Sequence, residues 1–330
     1  MPQEACKRNL GLDLVRVTEA AALSAARWLG RGNKEAGDGA AVDAMRWSFN
    51  AMDIDGRVVI GEGEKDEAPM LYNGEELGTK KGPQMDVAVD PVEGTSLLAT
   101  GKPNAISVVS LAPRGTMFNP GPAFYMEKLV VGPKAKEVID LNAPIETNLR
   151  NIAKALSKDV DDLVVFVLER PRHEKLITEI RKAGARIQLH SDGDVAGAIM
   201  AVSDESTVDV MMGIGGTPEG VLAATAIKII GGEILCRLAP QSQKEKDAVL
   251  QSGYNLNTIY SVNDLIRSED IYFAATGISG RTSGLRGVQY TGQNAITHSI
   301  MMKGETGTIR YIESHIAHGQ LMKINAMKQH

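Results

Sequence analysis

The 330-residue chain lacks the features that mark several large classes of protein. Its two cysteines, Cys6 and Cys236, do not make a disulfide framework and show no metal-ligand spacing. No apolar run approaches the length of about 18 residues that a membrane span needs, and charges interrupt the opening stretch 1–14, so we expect neither a membrane segment nor a signal peptide. A net charge of −5 without a basic stripe gives no support for a nucleic-acid partner. These absences predict a protein of the reduced cytoplasm.

Common catalytic and cofactor motifs are also missing. The six histidines show no metal-ligand spacing, and the chain has no Gly-x-Ser-x-Gly elbow. The stretch 53–56 resembles the aspartyl-nucleophile motif of haloacid-dehalogenase-like phosphatases, but an amphipathic helix precedes it, and Arg57 stands where Thr or Ser is expected. The glycines of 213–220 fail the dinucleotide-binding pattern because Pro218 occupies the third glycine position. We therefore expect neither an aspartyl nucleophile nor a dinucleotide site.

The most informative stretch of the sequence is 85–95, which reads Met-Asp-Val-Ala-Val-Asp-Pro-Val-Glu-Gly-Thr. Its first residues alternate between apolar and acidic side chains, which is typical of a β-strand. Pro91 cannot donate to a strand ladder, so we expect the strand to stop there, and Gly94 can take a positive φ in the turn that follows. The turn gathers two carboxylates and a hydroxyl: Asp90, Glu93 and Thr95. Because such groups suit divalent cations and phosphate, the stretch predicts a metal-dependent phosphoryl site.

Three further acidic regions are compatible with a metal site but also with ordinary structural roles. Asp38 ends a glycine-rich loop, 32–39, and could simply cap the helix that follows. The stretch 61–67 crowds four carboxylates between glycines, which indicates either a cation site or a solvated acidic loop. Glu219 lies in the first turn of a helix that Thr217 caps, where a carboxylate complements the helix dipole. The residues alone leave both interpretations open in all three regions.

The second half of the chain alternates strands and helices. From about residue 143, a strand, a polar turn and a helix recur three times, which indicates an α/β region with ligand groups at strand carboxyl ends. Arg170 and Arg172 follow one of these strands, and paired guanidinium groups suit phosphate, although a surface role explains them equally well. The last part of the chain returns to β character. We place a soft boundary between two halves, 1–142 and 143–330, and the final strands could pair back with the first half.

Taken together, these stretches resemble the class II (GlpX-type) fructose-1,6-bisphosphatases. The shorter Asp-Pro-acidic-Gly-Thr element indicates only the wider lithium-sensitive phosphatase superfamily, which includes the inositol monophosphatases. The matching segments occur in the family's order over most of the chain: Trp28–Gly32, Asp38–Arg46, Val59–Tyr72, Asp86–Thr95, Tyr125–Gly132, Arg170–His173, Asp192–Val195 and Gly213–Val221. The resemblance implies an α/β (α+β) protein with the layered αβαβα sugar-phosphatase fold.

The resemblance also implies a set of site residues, position by position. The metal ligands that it implies are Asp38, Glu62, Asp90, Glu93 and Glu219. The catalytic residues that it implies are Lys34, Asp66 and Thr95. The substrate contacts that it implies are Glu93, Gly94, Thr95, Tyr125, Arg170, Pro171, Arg172, Asp192, Gly193, Asp194 and Gly216. Two positions depart from the family pattern, because Asn33 stands where Asp is familiar and Ala36 replaces a hydroxyl residue.

The implied activity is metal-dependent hydrolysis of the 1-phosphate of fructose 1,6-bisphosphate to fructose 6-phosphate, a reaction of gluconeogenesis and carbohydrate metabolism. Two or more Mn²⁺ or Mg²⁺ ions would be required. Sedoheptulose 1,7-bisphosphate as a second substrate and an inositol phosphate are alternatives with the same mechanism, although paired Arg170 and Arg172 argue against a monophosphate. A non-catalytic sugar-phosphate sensor is the alternative from a different class. We expect a cytoplasmic homo-oligomer, a dimer or a tetramer.

Overall fold

The computed structural model describes residues 10–61, 71–282, 284–292 and 294–317. Two of the predicted site residues, Glu62 and Asp66, lie outside these described residues, as does Cys6. No helix within the described ranges combines the length and apolar character needed to cross a membrane.

The described residues form nine α-helices and fifteen strands. The helices are α1 (Leu10–Ala26), α2 (Lys34–Asn50), α3 (Thr95–Thr100), α4 (Ile145–Leu156), α5 (Glu174–Ala183), α6 (Asp194–Val202), α7 (Thr217–Ile230), α8 (Gln243–Gln251) and α9 (Val262–Leu265). The strands are β1 (Asp55–Ile60), β2 (Glu76–Leu77), β3 (Gln84–Glu93), β4 (Ile106–Pro113), β5 (Tyr125–Val131), β6 (Val164–Leu168), β7 (Arg186–His190), β8 (Val210–Gly216), β9 (Glu233–Leu238), β10 (Tyr272–Gly277), β11 (Arg281–Thr282), β12 (Leu285–Arg286), β13 (Gln289–Thr291), β14 (Asn294–Lys303) and β15 (Thr308–Ile316).

Two mixed sheets organise the molecule. The larger sheet has the order β13-β14-β10-β4-β3-β1-β2, with β15 paired to β14, and the smaller sheet has the order β7-β6-β8-β5-β9. In the larger sheet β1 is parallel to β3, whereas β4 is antiparallel to both β3 and β10. The final strands therefore do pair back with the first half, as the sequence suggested. The division into two halves at residue 142 stays a prediction.

Three apolar layers hold the sheets and helices together. Helices α1 and α2 cover one face of the larger sheet, with Leu14, Met45 and Phe49 fully buried there. Helices α6 and α7 fill the space between the two sheets, and α4 and α5 cover the outer face of the smaller sheet. This sequence of layers is helix, sheet, helix, sheet, helix. The predicted layered αβαβα fold is confirmed.

Strand β3 passes through Pro91, so the prediction that the strand stops there is wrong. Its pairing with β4 shifts register between Asp90 and Glu93, where two residues of β3, Pro91 and Val92, oppose one residue of β4, Ser107. Such a bulge accommodates a residue that cannot donate a ladder hydrogen bond. The strand continues to Glu93, and the bulge lies at the centre of the predicted phosphoryl site.

The structure also changes the interpretation of two acidic residues. Asn33, not Asp38, caps α2, because its side chain accepts a hydrogen bond from the Ala36 N–H at 3.0 Å. Asp38 lies inside the helix, so the capping interpretation of Asp38 is wrong. Asp86 fastens the turn after β4, since its Oδ2 accepts hydrogen bonds from the N–H groups of Gly115 at 2.6 Å and Met117 at 3.3 Å.

Candidate active site

The end of β3 and the start of α3 form the centre of the site. Gly94 links the two elements with φ 89°, in the left-handed region that glycine adopts without a steric penalty, as the sequence predicts. Thr95 is then the first residue of α3 and is half-buried. The bulge before Gly94 brings Asp90 and Glu93 close enough for a side-chain hydrogen bond between them. Two carboxylates and a hydroxyl therefore converge within six residues, as predicted.

Glu93 is a buried carboxyl group in an acidic environment. It is 5% exposed, and its Oε1 accepts a hydrogen bond from the Val195 N–H at 2.9 Å, in the first turn of α6. Burial raises the pKa of Glu93 well above its ordinary value, and the charges of Asp90, Glu219 and Asp194 raise it further. A cation placed among these groups would therefore stabilise their ionised forms.

Glu219 approaches the same centre from the smaller sheet. It lies in the first turn of α7, and its buried Oε2 has no hydrogen-bond partner among the described residues. Burial raises the pKa of this carboxyl group, although the charge of Lys128 opposes the change. A Cβ atom at Gly216 would lie 1.7 Å from Glu219 Oε2, so only glycine leaves room for this carboxylate. The geometry matches what a divalent cation requires of a ligand: a buried oxygen that no protein donor occupies.

Lys128 is a functional candidate that the sequence reasoning missed. Its side chain is 3% exposed, and the ammonium group donates hydrogen bonds to Asp194 Oδ2 and, at 2.7 Å, to the carbonyl oxygen of Gly216. Lysines are almost never fully buried unless they are paired. The sequence did contain a signal, because Lys128 lies between Met126 and Val130 on the inward-facing register of β5.

Asp194 therefore has a partner within the protein. It was predicted to contact the sugar hydroxyls, and the structure pairs one of its oxygens with Lys128. Its buried Oδ1 has no hydrogen-bond partner among the described residues. A Cβ atom at Gly215 would lie 2.1 Å from Asp194 Oδ2, so the consecutive glycines 215 and 216 make room for two carboxylates. Contact between Asp194 and a substrate stays a prediction.

Lys34 is the first residue of α2, the helix that also carries Asp38. The Lys34 ammonium group donates to Ser96 Oγ at 2.8 Å, next to Thr95. The two helices lie close together, since a Cβ atom at Gly37 would meet Leu98 Cδ2 at 2.6 Å. The structure thus places the predicted lysine one residue away from the predicted threonine.

The predicted phosphate contacts lie at the carboxyl edge of the smaller sheet. The Arg172 guanidinium group lies 5.1 Å from the centre of the Tyr125 ring, and its Nε donates to the carbonyl oxygen of Ile214 at 3.0 Å. Arg170 instead donates to the neighbouring carbonyl oxygen of Glu169 at 3.2 Å. Pro171 is exposed at the start of a short 3₁₀ turn between them. The two arginines therefore differ, since Arg172 donates to the sheet, whereas the hydrogen bond of Arg170 within the described part of the chain is to its own turn.

The turn before α6 provides further polar groups. Gly193 has φ 98° and precedes the first residue of the helix, and Asp192 accepts a hydrogen bond from the Gly193 N–H at 3.2 Å. The charge of Asp192 also raises the pKa of Glu219, so the two carboxylates are electrostatic neighbours. The α6 turn and the α7 turn thus face the same centre.

A cavity of about 810 Å³ opens onto the carboxylates. Asp90 and Glu219 line it together with Phe124 and Lys244, although Lys244 comes from the region after Glu233, to which no role was assigned. Helix α8, which carries Lys244, is fixed by the buried Glu245, whose carboxylate accepts hydrogen bonds from the N–H groups of Phe124 at 2.8 Å and Tyr125 at 3.1 Å. This long-range contact could not be read from local sequence pattern.

Comparison with known proteins assigns the chain to a family. The family model for bacterial fructose-1,6-bisphosphatase, glpX-encoded, matches residues 8–316. The chain belongs to this family. It is 45% identical over 322 residues to fructose-1,6-bisphosphatase class 2 of Haemophilus influenzae, covering 93% of this chain and 96% of the relative. It is 43% identical over 321 residues to fructose-1,6-bisphosphatase 1 class 2 of Escherichia coli K12, covering 93% and 95%. The resemblance drawn from the motifs is confirmed.

The described carboxylates of this class 2 bisphosphatase family member fit a divalent metal. Carboxylate oxygens are the donors that Mg²⁺ and Mn²⁺ prefer, and Glu219 Oε2 is a buried oxygen of this kind. Among the residues that the structure describes, however, the one group of three ligand side chains with atoms all within 4.8 Å of one another is Asp159, Asp161 and Asp162, which were not predicted as ligands. The predicted ligands that the structure describes, Asp38, Asp90, Glu93 and Glu219, therefore contain no group of three this close together.

Proposed function

We propose that the chain is a metal-dependent phosphatase that hydrolyses the 1-phosphate of fructose 1,6-bisphosphate, releasing fructose 6-phosphate and phosphate. The observation that carries the proposal is the group formed by buried Glu93 and half-buried Asp90 and Glu219 at a large cavity, with Arg172 and Tyr125 at the nearby sheet edge. The names of both relatives, fructose-1,6-bisphosphatases, support the same substrate.

The proposed metal ligands are Asp38, Glu62, Asp90, Glu93 and Glu219, holding two or more Mn²⁺ or Mg²⁺ ions. When bound, such ions supply Lewis-acid stabilisation of the phosphoryl oxygens and lower the pKa of water. The protein contributes the buried, preorganised carboxylates, whose mutual repulsion favours a cation between them. The fixed backbone at Gly94 and Gly216 keeps these carboxylates in place.

The remaining roles belong to residues around the cavity. We propose that Thr95 orients the attacking water and takes up its proton while its own hydroxyl proton passes to Asp66, since a threonine hydroxyl alone is a weak base. Lys34 would offset charge on the reacting phosphate from its position beside Ser96. Arg170, Arg172 and Tyr125 would bind the 6-phosphate, and Asp192 and Asp194 the sugar hydroxyls. The N–H groups and small side chains of the Gly94, Gly193 and Gly216 turns would let the substrate approach closely.

Phosphate release from a panel of substrates tests the proposal. The panel contains fructose 1,6-bisphosphate, sedoheptulose 1,7-bisphosphate, fructose 1-phosphate and inositol 1-phosphate, each with Mg²⁺, with Mn²⁺ and with excess chelator. We expect the highest kcat/KM for fructose 1,6-bisphosphate and no turnover in chelator. Preference for the inositol monophosphate would overturn the substrate, and undiminished turnover in chelator would overturn the mechanism. Binding measured by calorimetry without any turnover would identify a sensor instead.

We also propose that the protein works in the cytoplasm as a homo-oligomer, a dimer or a tetramer. Light scattering coupled to size-exclusion chromatography measures the mass directly. A monomer of 35.3 kDa at assay concentration would contradict the proposed homo-oligomer.

A further inference from the structure

His173 is a buried histidine that immediately follows the Arg170–Arg172 turn, and the proposed mechanism does not use it. It is 2% exposed and lies at the carboxyl edge of the smaller sheet, where β6 and β8 run parallel. Its Nδ1 lies 2.7 Å from the carbonyl oxygen of Leu168, the last residue of β6. Its Nε2 accepts a hydrogen bond of 2.7 Å from the Ile214 N–H in β8. The ring therefore joins two neighbouring strands at the site edge.

These two contacts fix the tautomer of the ring. A backbone N–H can only donate, so Nε2 must be the unprotonated nitrogen, and a carbonyl oxygen can only accept, so Nδ1 must carry the proton. Burial lowers the pKa of His173 below its ordinary value, and the adjacent charge of Arg172 acts in the same direction, against the hydrogen bond to Leu168 and the charge of Asp194. The neutral ring therefore makes both hydrogen bonds, one to each strand.

Ile214 is held by two consecutive side chains. His173 accepts from its N–H, and Arg172 Nε donates to its carbonyl oxygen at 3.0 Å. The next residue upstream, Gly213, has φ 141°, and a Cβ atom there would lie 2.9 Å from the His173 ring. The ring thus packs directly against the bare backbone of Gly213, two residues before the site glycines 215 and 216 at the end of β8. Movement of Ile214 would move the acceptor that orients the Arg172 guanidinium group.

We propose that His173 is a positioning residue for Arg172. Its Nε2 accepts a hydrogen bond from the Ile214 N–H and so holds this residue in place. The carbonyl oxygen of Ile214 then orients the Arg172 guanidinium group toward the distal phosphate of the substrate. The role assigned to Arg172 rests on the proposed function. The placement of Ile214 by His173 rests on the contacts alone.

Two substitutions separate the two hydrogen bonds of the ring. In His173→Gln the side-chain oxygen reaches the position of Nε2 and can still accept from Ile214. In His173→Asn the amide nitrogen reaches only the position of Nδ1 and leaves the Ile214 N–H without an acceptor. We expect His173→Asn to raise KM for fructose 1,6-bisphosphate about tenfold with kcat nearly unchanged, because a buried donor loses its partner. We expect His173→Gln to stay within about twofold of the wild type.

A double-mutant cycle with Arg172→Met tests whether His173 acts through the arginine. If it does, His173→Asn adds little to the KM of the Arg172→Met protein. A monophosphate without a distal phosphate, p-nitrophenyl phosphate, should show the same KM in wild type and His173→Asn. His190→Asn is the matched control. His190 is a half-buried histidine at the same edge of the sheet, but its ring stacks on Phe166, with ring centres 4.3 Å apart, and does not contact Ile214 among the hydrogen bonds described.

Hydrogen exchange makes the test independent of turnover. The Ile214 amide should exchange faster in His173→Asn than in wild type or His173→Gln. Equal exchange in all three proteins would overturn the positioning role, as would an equal rise in KM for the Asn and Gln variants or full additivity with Arg172→Met. If the wild type hydrolyses no fructose 1,6-bisphosphate, the proposed function fails, and the exchange of Ile214 with calorimetric binding of that compound still decides the role of His173.

Discussion

Two carboxylate clusters among the residues that the structure describes differ in almost every respect except their charge. Asp159, Asp161 and Asp162 are exposed, and their oxygens lie within 4.8 Å of one another. The second cluster, which we call the buried cluster, consists of Glu93, which is buried, and of Asp90 and Glu219, which are half-buried and each have one fully buried oxygen. Its members come from both halves of the chain and are more widely spaced. If the spacing of the carboxylate oxygens alone decided, the exposed cluster would be the better candidate for a metal site.

Burial reverses that ranking. Two unit charges 4 Å apart interact by about 1 kcal/mol in water but about 4 kcal/mol at the lower effective dielectric of a protein. Water screens the exposed cluster, whereas the pKa of Glu93 is well above its ordinary value because of burial and its acidic neighbours. The buried cluster therefore gains far more from a cation. The comparison teaches that desolvation, and not the number of nearby carboxylates, distinguishes a site from a solvated acidic turn.

The largest effect is expected from Asp90→Asn in the buried cluster. This change should lower turnover at least about 10³-fold, beyond the 10–100-fold typical of outer-shell partners of a metal. It should also raise the melting temperature of the metal-free protein, because it removes a charge beside Glu93. Phosphate release and thermal unfolding in chelator measure the two effects.

Addition of Mn²⁺ gives the matching control for Asp90→Asn. The wild type should gain thermal stability as the metal concentration rises, because a ligand that binds the folded state stabilises it. The variant should gain little. A variant that keeps wild-type turnover, or one that melts at a lower temperature in chelator, would contradict the account of the buried cluster.

A smaller effect is expected from removal of Lys128, the buried cation that pairs with Asp194. Lys128→Met leaves the buried Asp194 without its charge partner and should cost about 3 kcal/mol of unfolding free energy, at the low end for a broken buried pair, because the α6 N-terminus still favours the negative charge. Urea unfolding of the metal-free protein measures this cost.

Two further variants separate charge from packing at Lys128. The double variant Lys128→Met/Asp194→Asn removes both partners and should recover much of the lost stability. Lys128→Arg keeps the charge and tests whether shape matters as well. If the single and double variants were equally unstable, loss of packing rather than an unpaired Asp194 would explain the effect.

Local sequence pattern was sufficient for much of the fold and for the centre of the site. The positive φ of Gly94 follows from the turn that this glycine must make, and it is found where expected. The acidic turn around Asp90 and Glu93 was located from fewer than a dozen residues. Such features depend on residues that are adjacent in the sequence, so they can be predicted from the sequence alone.

Long-range contacts explain what the pattern missed. The strand passes Pro91 because its partner β4 accepts a register shift, which no local rule foresees. Glu93 finds its donor at Val195, more than 100 residues away, and Lys128 finds Asp194 across the smaller sheet. Asp38 was predicted to cap α2, but the cap is Asn33, which lies five residues earlier. In each case the decisive partner is remote in sequence or competes with an equally suitable neighbour.

The smallest effect is expected from the exposed cluster. The triple variant Asp159→Asn/Asp161→Asn/Asp162→Asn should keep turnover within about twofold of wild type and stability within about 0.5 kcal/mol, the usual range for surface substitutions. The number of Mn²⁺ ions bound per chain, counted by calorimetry, should not change. If removing these exposed carboxylates abolished a bound ion, close spacing alone would suffice for a metal site. The contrast with the buried cluster would then fail, because water screening would not have prevented binding.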